Sequence, residues 1–394
     1  MTKRRWPGLR LPVLFALSAV LALIASGCTS KPQAGPSTSP PPATSPPPTG
    51  PSPTPSERTP LIAALPDGCD PQVPEDTATV AFVSGGRAWA AAPDGSGLVC
   101  LFDVADPGPF LWGPRGDRVA LAGLALKGVG VSLDLPSKQV EPTSLSWGRP
   151  TGKAVVFTEE NGPELEKVFL DSAPPSDISP LDSATYGDVA YHPSGLAVAF
   201  VATESNGASE IWMASNDGTS PKRLVFSNRG STFGPIGFAL DGVKLFYGAK
   251  HTDGTRELVA YDLSSNMGDQ NLWVGGRDII NLIPPKGPTW PGALLDVGAN
   301  CSDREALFSP LDGGPGTPLL TFPAAATTAL GWLDEEHVLV GEGGCETPMN
   351  LWVTDVKSGD QQLLVGQVDR GAVRVPEPLP PPPLPQIGVD AGFA

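Results

Sequence analysis

Six times along this chain an aromatic residue is followed by a short turn rich in Pro, Gly or Asp, and then by an apolar run. The copies are WGPRGDRVALAG from Trp112, WGRPTGKAVVFTE from Trp147, YHPSGLAVAFVA from Tyr191 and FALDGVKLFYGAK from Phe238. Two looser ones follow: WPGALLDVG from Trp290, which has lost most of its turn, and WLDEEHVLVGEG from Trp332. Their starts lie about 35–52 residues apart, the length of one four-stranded antiparallel sheet with its connections. One such sheet cannot cover both of its own faces, so units of this kind must stack on their neighbours.

The rest of each unit fits that reading. Further strands are expected at VGVSLDL, EKVFLDS, EIWMASN, ELVAYDL, EALFSPL and NLWVTDV, and last strands at KRLVF, QNLWV, TPLLTF and QQLLV. Runs of four to seven apolar and β-branched residues recur between turn residues, and no convincing amphipathic helix interrupts them. The class is therefore all-β, and the architecture expected is a β-propeller over residues 61–375. TVAFV, RAWAAA and GLVCLF (79–102) read as the last three strands of a further unit. Its first strand is expected from GAVRV (371–375), which would close the ring with the two ends of the chain. That makes seven four-stranded blades, and six with one irregular unit is the alternative.

The repeat resembles that of the TolB-type (WD-like) propellers: aromatic–Ser–Pro–Asp–Gly, an apolar strand, an Ile-Trp strand, an Asp-Gly turn and a basic-Leu strand. YHPSGLAVAFVA with EIWMASNDGTSPKRL (191–224) is the best copy, and the likeness extends over most of residues 77–367. Such repeats occur in proteins of unrelated function, so what the resemblance implies is fold, with an interaction role as its nearest functional suggestion. The repeat aromatics Trp112, Trp147, Tyr191, Phe238, Trp290 and Trp332 are expected to pack between neighbouring sheets.

The N-terminus carries an export signature. Lys3, Arg4, Arg5 and Arg10 precede LPVLFALSAVLALIA (11–25), a stretch too short to span a bilayer comfortably. ALIASGC then places Ala25, Ser26 and Gly27 before Cys28. This is similar to a bacterial lipoprotein signal over residues 1–27, with Cys28 the residue that would be lipidated; Ala25 departs from the commoner Leu. A plain secretory signal with an incidental cysteine is the other reading, and Arg4-Arg5 leaves Sec and twin-arginine export both open. Residues 28–60 are almost entirely Pro, Ser, Thr and Gly, too poor in apolar residues to fold, and read as an extended stalk. The Pro-rich tail 376–394 reads as disordered for the same reason. The composition suggests a high-GC actinobacterium, and the expected location is the outer face of the cell membrane.

Beyond Cys28 there are four cysteines, an even number that suits an exported chain. Three connectivities are open. Cys69–Cys100 and Cys301–Cys345 are expected, because the first pair brackets the first unit and the second falls in equivalent loops of adjacent units. The formal net charge is −16, with four cations in the signal segment, so nucleic acid and anionic lipid are poor partners.

Signals for catalysis are weak. RGSTFG (229–234) sets a serine among glycines but lacks the spacing of a nucleophile elbow. GRPTGKA (148–154) is too short for a phosphate loop, and no Cys/His spacing suits zinc. Arg115-Gly116-Asp117 falls in a repeat turn, where Gly and Asp serve the backbone. His192 also falls in such a turn and reads as structural. Asp188 and Asp296 are candidates for the central channel, with hydrogen-bonded structural carboxylates the competing reading; Asp334 lies nearer a turn. The expectation is a monomeric, non-enzymatic interaction scaffold without cofactor or metal, meeting an envelope protein or peptide. The alternatives are a propeller that binds a small molecule or glycan, or a propeller enzyme of lactonase or lyase type.

Overall fold

The structure, a computed structural model, describes residues 59–374 except 106–109, 115–117, 122–124, 129–130, 135–141, 149–151, 153, 160–161, 170–171, 228–229, 266–269, 301, 322–325 and 344–347, together with residue 383. Cys28, residues 1–58, most of the tail, Arg115-Gly116-Asp117, Cys301 and Cys345 lie outside the described residues.

The described strands form seven four-stranded antiparallel sheets. The first holds β1 (Val80–Ser84), β2 (Arg87–Ala91) and β3 (Val99–Asp103). The second runs β4 (Phe110–Trp112), β5 (Arg118–Leu121), β6 (Ala125–Gly128), β7 (Val131–Asp134). The third runs β8 (Pro142–Trp147), β9 (Ala154–Glu159), β10 (Leu165–Phe169), β11 (Ser172–Asp177). The fourth runs β12 (Thr185–Tyr191), β13 (Ala197–Thr203), β14 (Ser209–Ser215), β15 (Lys222–Phe226). The fifth runs β16 (Thr232–Phe238), β17 (Lys244–Lys250), β18 (Arg256–Asp262), β19 (Gln270–Gly275). The sixth runs β20 (Ile279–Ile283), β21 (Gly292–Val297), β22 (Glu305–Pro310), β23 (Thr317–Pro318). The seventh runs β24 (Thr327–Trp332), β25 (His337–Glu342), β26 (Met349–Asp355), β27 (Gln361–Val368). The last strand, β28 (Arg370–Val373), returns to the first sheet and pairs with β1, Val373 opposite Val80. The two ends of the sheet-forming chain therefore meet in one sheet, as the segments 79–102 and 371–375 anticipate. First strands touch in the succession β8, β12, β16, β20, β24, β28, β4, which makes them the inner strands of a β-propeller.

Each interface between sheets is an apolar core. Successive residues of a strand point to opposite faces, so a strand between two sheets must be apolar at nearly every position. β13 shows this: Ala199 and Val201 pack with Leu245 and Tyr247 of the fifth sheet. Val198, Phe200 and Ala202 face Val156 and Leu165 of the third. The sixth and seventh sheets share Leu294, Ala306, Val338 and Trp352. The seventh and first share Leu339, Leu351, Phe82 and Trp89. A fully buried Phe or Leu of this kind contributes about 1.5–3 kcal/mol.

The Cys69–Cys100 disulfide forms, joining the entry segment to β3. Backbone bonds reinforce it: Gln72 N donates to Cys100 O at 3.0 Å, and the Leu61 and Ile62 amides donate to Leu363 O and Leu364 O of β27.

Three sequence expectations need correction. VGVSLDL supplies the fourth strand of its sheet, β7, because ALKG upstream takes the third place as β6. Trp290 does not end an inner strand as the other five aromatics do; β20 stops at Ile283 and a longer connection carries Trp290. Asp296 lies on β21, a second strand, and not on the channel-lining strand.

Candidate functional site

The aromatics define one face. Trp112, Trp147, Tyr191, Phe238 and Trp332 are the last residues of their inner strands, so all stand where the first turn of each unit begins. Each leans on the turn of the sheet before it. A Cβ on Gly148 would sit 3.1 Å from the Tyr191 ring, so the glycine makes room for that ring. Phe238 meets the His192 ring edge-on at 5.0 Å, and Trp332 meets Trp290 at 5.2 Å. Trp290 thus returns to the aromatic contact from its longer loop.

His192 is structural. It is fully buried, with Nδ1 2.8 Å from Ser194 Oγ and Nε2 2.9 Å from Gly242 O in the next sheet. Gly242 O can only accept, so Nε2 carries the proton. Burial holds the ring below its usual pKa, favouring the neutral form.

The carboxylates considered for the channel also serve the frame. Asp296 has no exposed surface; Oδ1 accepts from Ala329 N at 2.7 Å and Oδ2 from Asn281 Nδ2 at 3.2 Å. Asn281 also donates to Ala329 O, so the pair clips β20 and β21 to β24. Burial pushes the Asp296 carboxyl up to about 6. Asp188 lies on the inner strand β12 and is raised by burial, opposed by a hydrogen bond with Ser144. Ser144 and Ser146 of β8 accept from the amides of Val189 and Tyr191, both at 3.0 Å, a side-chain bridge between inner strands. Asp334 accepts from His337 N at 2.7 Å within its turn.

Between the inner-strand ends on the aromatic face is a cleft of about 140 Å³, lined by Tyr191, Pro193, Phe238, Pro284, Lys286 and Trp332. Lys286 donates to Trp332 O at 2.6 Å and stands 5.1 Å from the Trp290 ring centre. Leu196 and Val243, at equivalent places in successive first turns, are 58% and 40% exposed on the same face. Apolar side chains left open beside a cleft mark a surface suited to a partner.

A larger cavity, about 290 Å³, lies between the fourth and fifth sheets on the opposite face. Its polar wall joins Ser231, His251 and Glu257. Ser231 Oγ is 2.9 Å from His251 Nδ1, and His251 Nε2 is 3.1 Å from Glu257 Oε2. Ser231 comes from the connection into β16, His251 from the hairpin between β17 and β18, and Glu257 from β18. Ser231 is the serine of RGSTFG, set aside from sequence for its spacing; the partners come from the next two strands, with no motif to announce them.

Among the described residues no group of His, Cys, Asp and Glu could hold a metal ion, and no helix is long and apolar enough to cross a membrane.

No protein-family model and no curated protein matches the sequence. Solved structures do. The chain is similar to the tricorn protease, with a TM-score of 0.52 and 14% identity over 77% of this chain, which spans 34% of that one. Structural neighbours include TolB proteins. A putative TolB from Agrobacterium tumefaciens is 16% identical, with TM-score 0.46, covering 65% of this chain and 88% of its own. TolB from Acinetobacter baumannii is 15% identical, with TM-score 0.45, covering 77% and 68%. At such identities the likeness concerns fold alone.

Proposed function

We propose that the protein is an extracytoplasmic lipoprotein, anchored through Cys28 to the outer face of the cell membrane, whose propeller is an interaction scaffold for an envelope protein or peptide. The signal-like segment and the Pro-rich stalk support the anchoring and the stand-off from the membrane. The observation that carries the interaction role is the aromatic face, where exposed Leu196 and Val243 flank an apolar cleft containing Lys286. An extended peptide placing one apolar side chain in that cleft suits its size. The acidic balance of the chain leaves attachment to the lipid and not to a basic patch.

The test is cross-linking of the lipidated protein in its native envelope, followed by mass spectrometry, with secreted Cys28→Ala as the anchoring control. One or two recurrent proteins cross-linked to the turns around residues 193–196 and 240–243, and lost in Leu196→Asp/Val243→Asp, are expected. Capture unchanged by the double substitution, or mapping to the opposite face, would overturn the assignment of this face.

A further inference from the structure

The cavity between the fourth and fifth sheets holds an arrangement that neither the fold nor an interaction role requires. A carboxylate offers only lone pairs, so the proton between His251 and Glu257 belongs to Nε2. The neutral ring then presents the Nδ1 lone pair to the Ser231 hydroxyl 2.9 Å away. A hydroxyl facing a base that is itself oriented by a third group is the arrangement that activates a serine for attack.

Comparison between the sheets sharpens this. Glu257 occupies a repeat position that is Glu210 in the fourth sheet and Glu305 in the sixth. Glu210 is satisfied by Trp212 and Arg223, and Glu305 by Arg277. Glu257 is held by an imidazole whose other nitrogen reaches a serine in a cavity. A second observation points to a ligand there. Ser227 lines the same cavity, is 7% exposed, and its Oγ is buried with no hydrogen-bond partner. A buried hydroxyl left unpaired is costly, and an entering polar group would relieve it. Ser227 and the Asn271 amide, which also lines the cavity, are donors available to a developing oxyanion.

We propose that this cavity is a reactive-serine site that hydrolyses small carboxylic esters. Ser231 Oγ adds to the ester carbonyl carbon while its proton passes to His251 Nδ1. The bond to the alcohol oxygen then breaks, and the alcohol leaves with that proton. Water adds to the acyl-serine, giving its proton to Nδ1; the Ser231 oxygen departs and recovers it, so ester and water become acid and alcohol. Ser231 and His251 are the catalytic residues and Glu257 is the positioning residue. The site lies on the face opposite the aromatic cleft and does not rest on the interaction reading.

The experiment uses the mature chain with a fluorophosphonate probe, which modifies an activated serine with loss of fluoride, and with p-nitrophenyl acetate. A single adduct on Ser231 is expected, absent from Ser231→Ala and from heat-unfolded protein. Ester turnover should exceed that of Ser231→Ala. His251→Gln should slow labelling about 100-fold, the scale of a general base. Glu257→Gln should lower the maximal labelling rate about 10-fold with the half-saturating probe concentration unchanged, a split that a packing role would not produce. Melting curves identify which variants are folded. Folded wild type left unlabelled, labelled elsewhere, or labelled at an equal rate in folded His251→Gln would overturn the site. Labelling without ester turnover would overturn the substrate class.

Discussion

Asp296 shows what a single buried carboxylate does in this frame. Its oxygens satisfy an amide of the next sheet and the Asn281 side chain, and burial pushes its pKa up to about 6. The native state therefore keeps a proton that the unfolded chain releases near 3.8, the ordinary value. Stability from this group is present below pH 3.8 and is lost as pH rises through about 6. Relative to Asp296→Asn, the wild type should lose about 3 kcal/mol between pH 4 and pH 7, at about 1.4 kcal/mol per unit. Urea unfolding of both proteins at pH 4.5, 5.5 and 7 measures it; parallel curves would refute it. His192 acts in the opposite sense. Its pKa is depressed by burial, so the unfolded state takes up the proton first and stability falls as pH drops below about 6.5.

At the scale of elements, the Asp-Gly hairpins recur with one geometry. Asp94, Asp217, Asp241 and Asp253 each accept from the amide two residues on, at 2.9–3.0 Å. The turn chemistry is local, but its tolerance to change is not. Gly218 and Gly254 both have positive φ, 82° and 95°. A Cβ at Gly254 meets nothing within 4 Å, whereas one at Gly218 strikes the Ile178 carbonyl. Gly254→Ala should cost about 1 kcal/mol from backbone strain alone. Gly218→Ala should cost about 2 kcal/mol more, because the neighbouring backbone must move. Chemical denaturation of the two variants side by side checks the order. The disulfide belongs to this scale too. Cys69 and Cys100 are 31 residues apart, and in the chain-entropy account a loop of that size is worth about 3–4 kcal/mol. Cys69→Ser/Cys100→Ser should lose that amount, read as a lower denaturant midpoint with a similar slope.

The whole molecule depends on closure. β28 comes from the far end of the chain and supplies the inner strand of the first sheet, with Ala372 and Val373 buried. Without it β1 would present an open edge, and the inner strands of the second and seventh sheets would lose a neighbour. A chain ending at Asp369 should melt at least about 10 °C lower, a shift that corresponds to several kcal/mol in a domain of this size. Differential scanning calorimetry of the shortened protein decides this; an unchanged transition would mean that β28 contributes nothing to the ring.

The sequence by itself determined what local chemistry can carry. The aromatic–turn–strand period, the Asp-Gly turns and the near-continuous apolar runs of β13 and β25 each reside within one unit, and they specify a stack of four-stranded sheets. The Cys69–Cys100 bond and the return of 371–375 to β1 were legible because an unmatched unit at one end called for a strand from the other. Only the tertiary structure decided which side chains meet across those sheets. Trp290 left the inner-strand end because its connection is longer, yet it regained its aromatic partner by packing. Asp296 reads as a channel residue until β21 proves to be a second strand facing β24. Ser231, His251 and Glu257 share no period, since they come from a connection, a hairpin and a strand. Periodic burial repeats with the backbone and can be counted along the chain; convergence of polar groups depends on where neighbouring loops end in space, and a single cavity brought these three together.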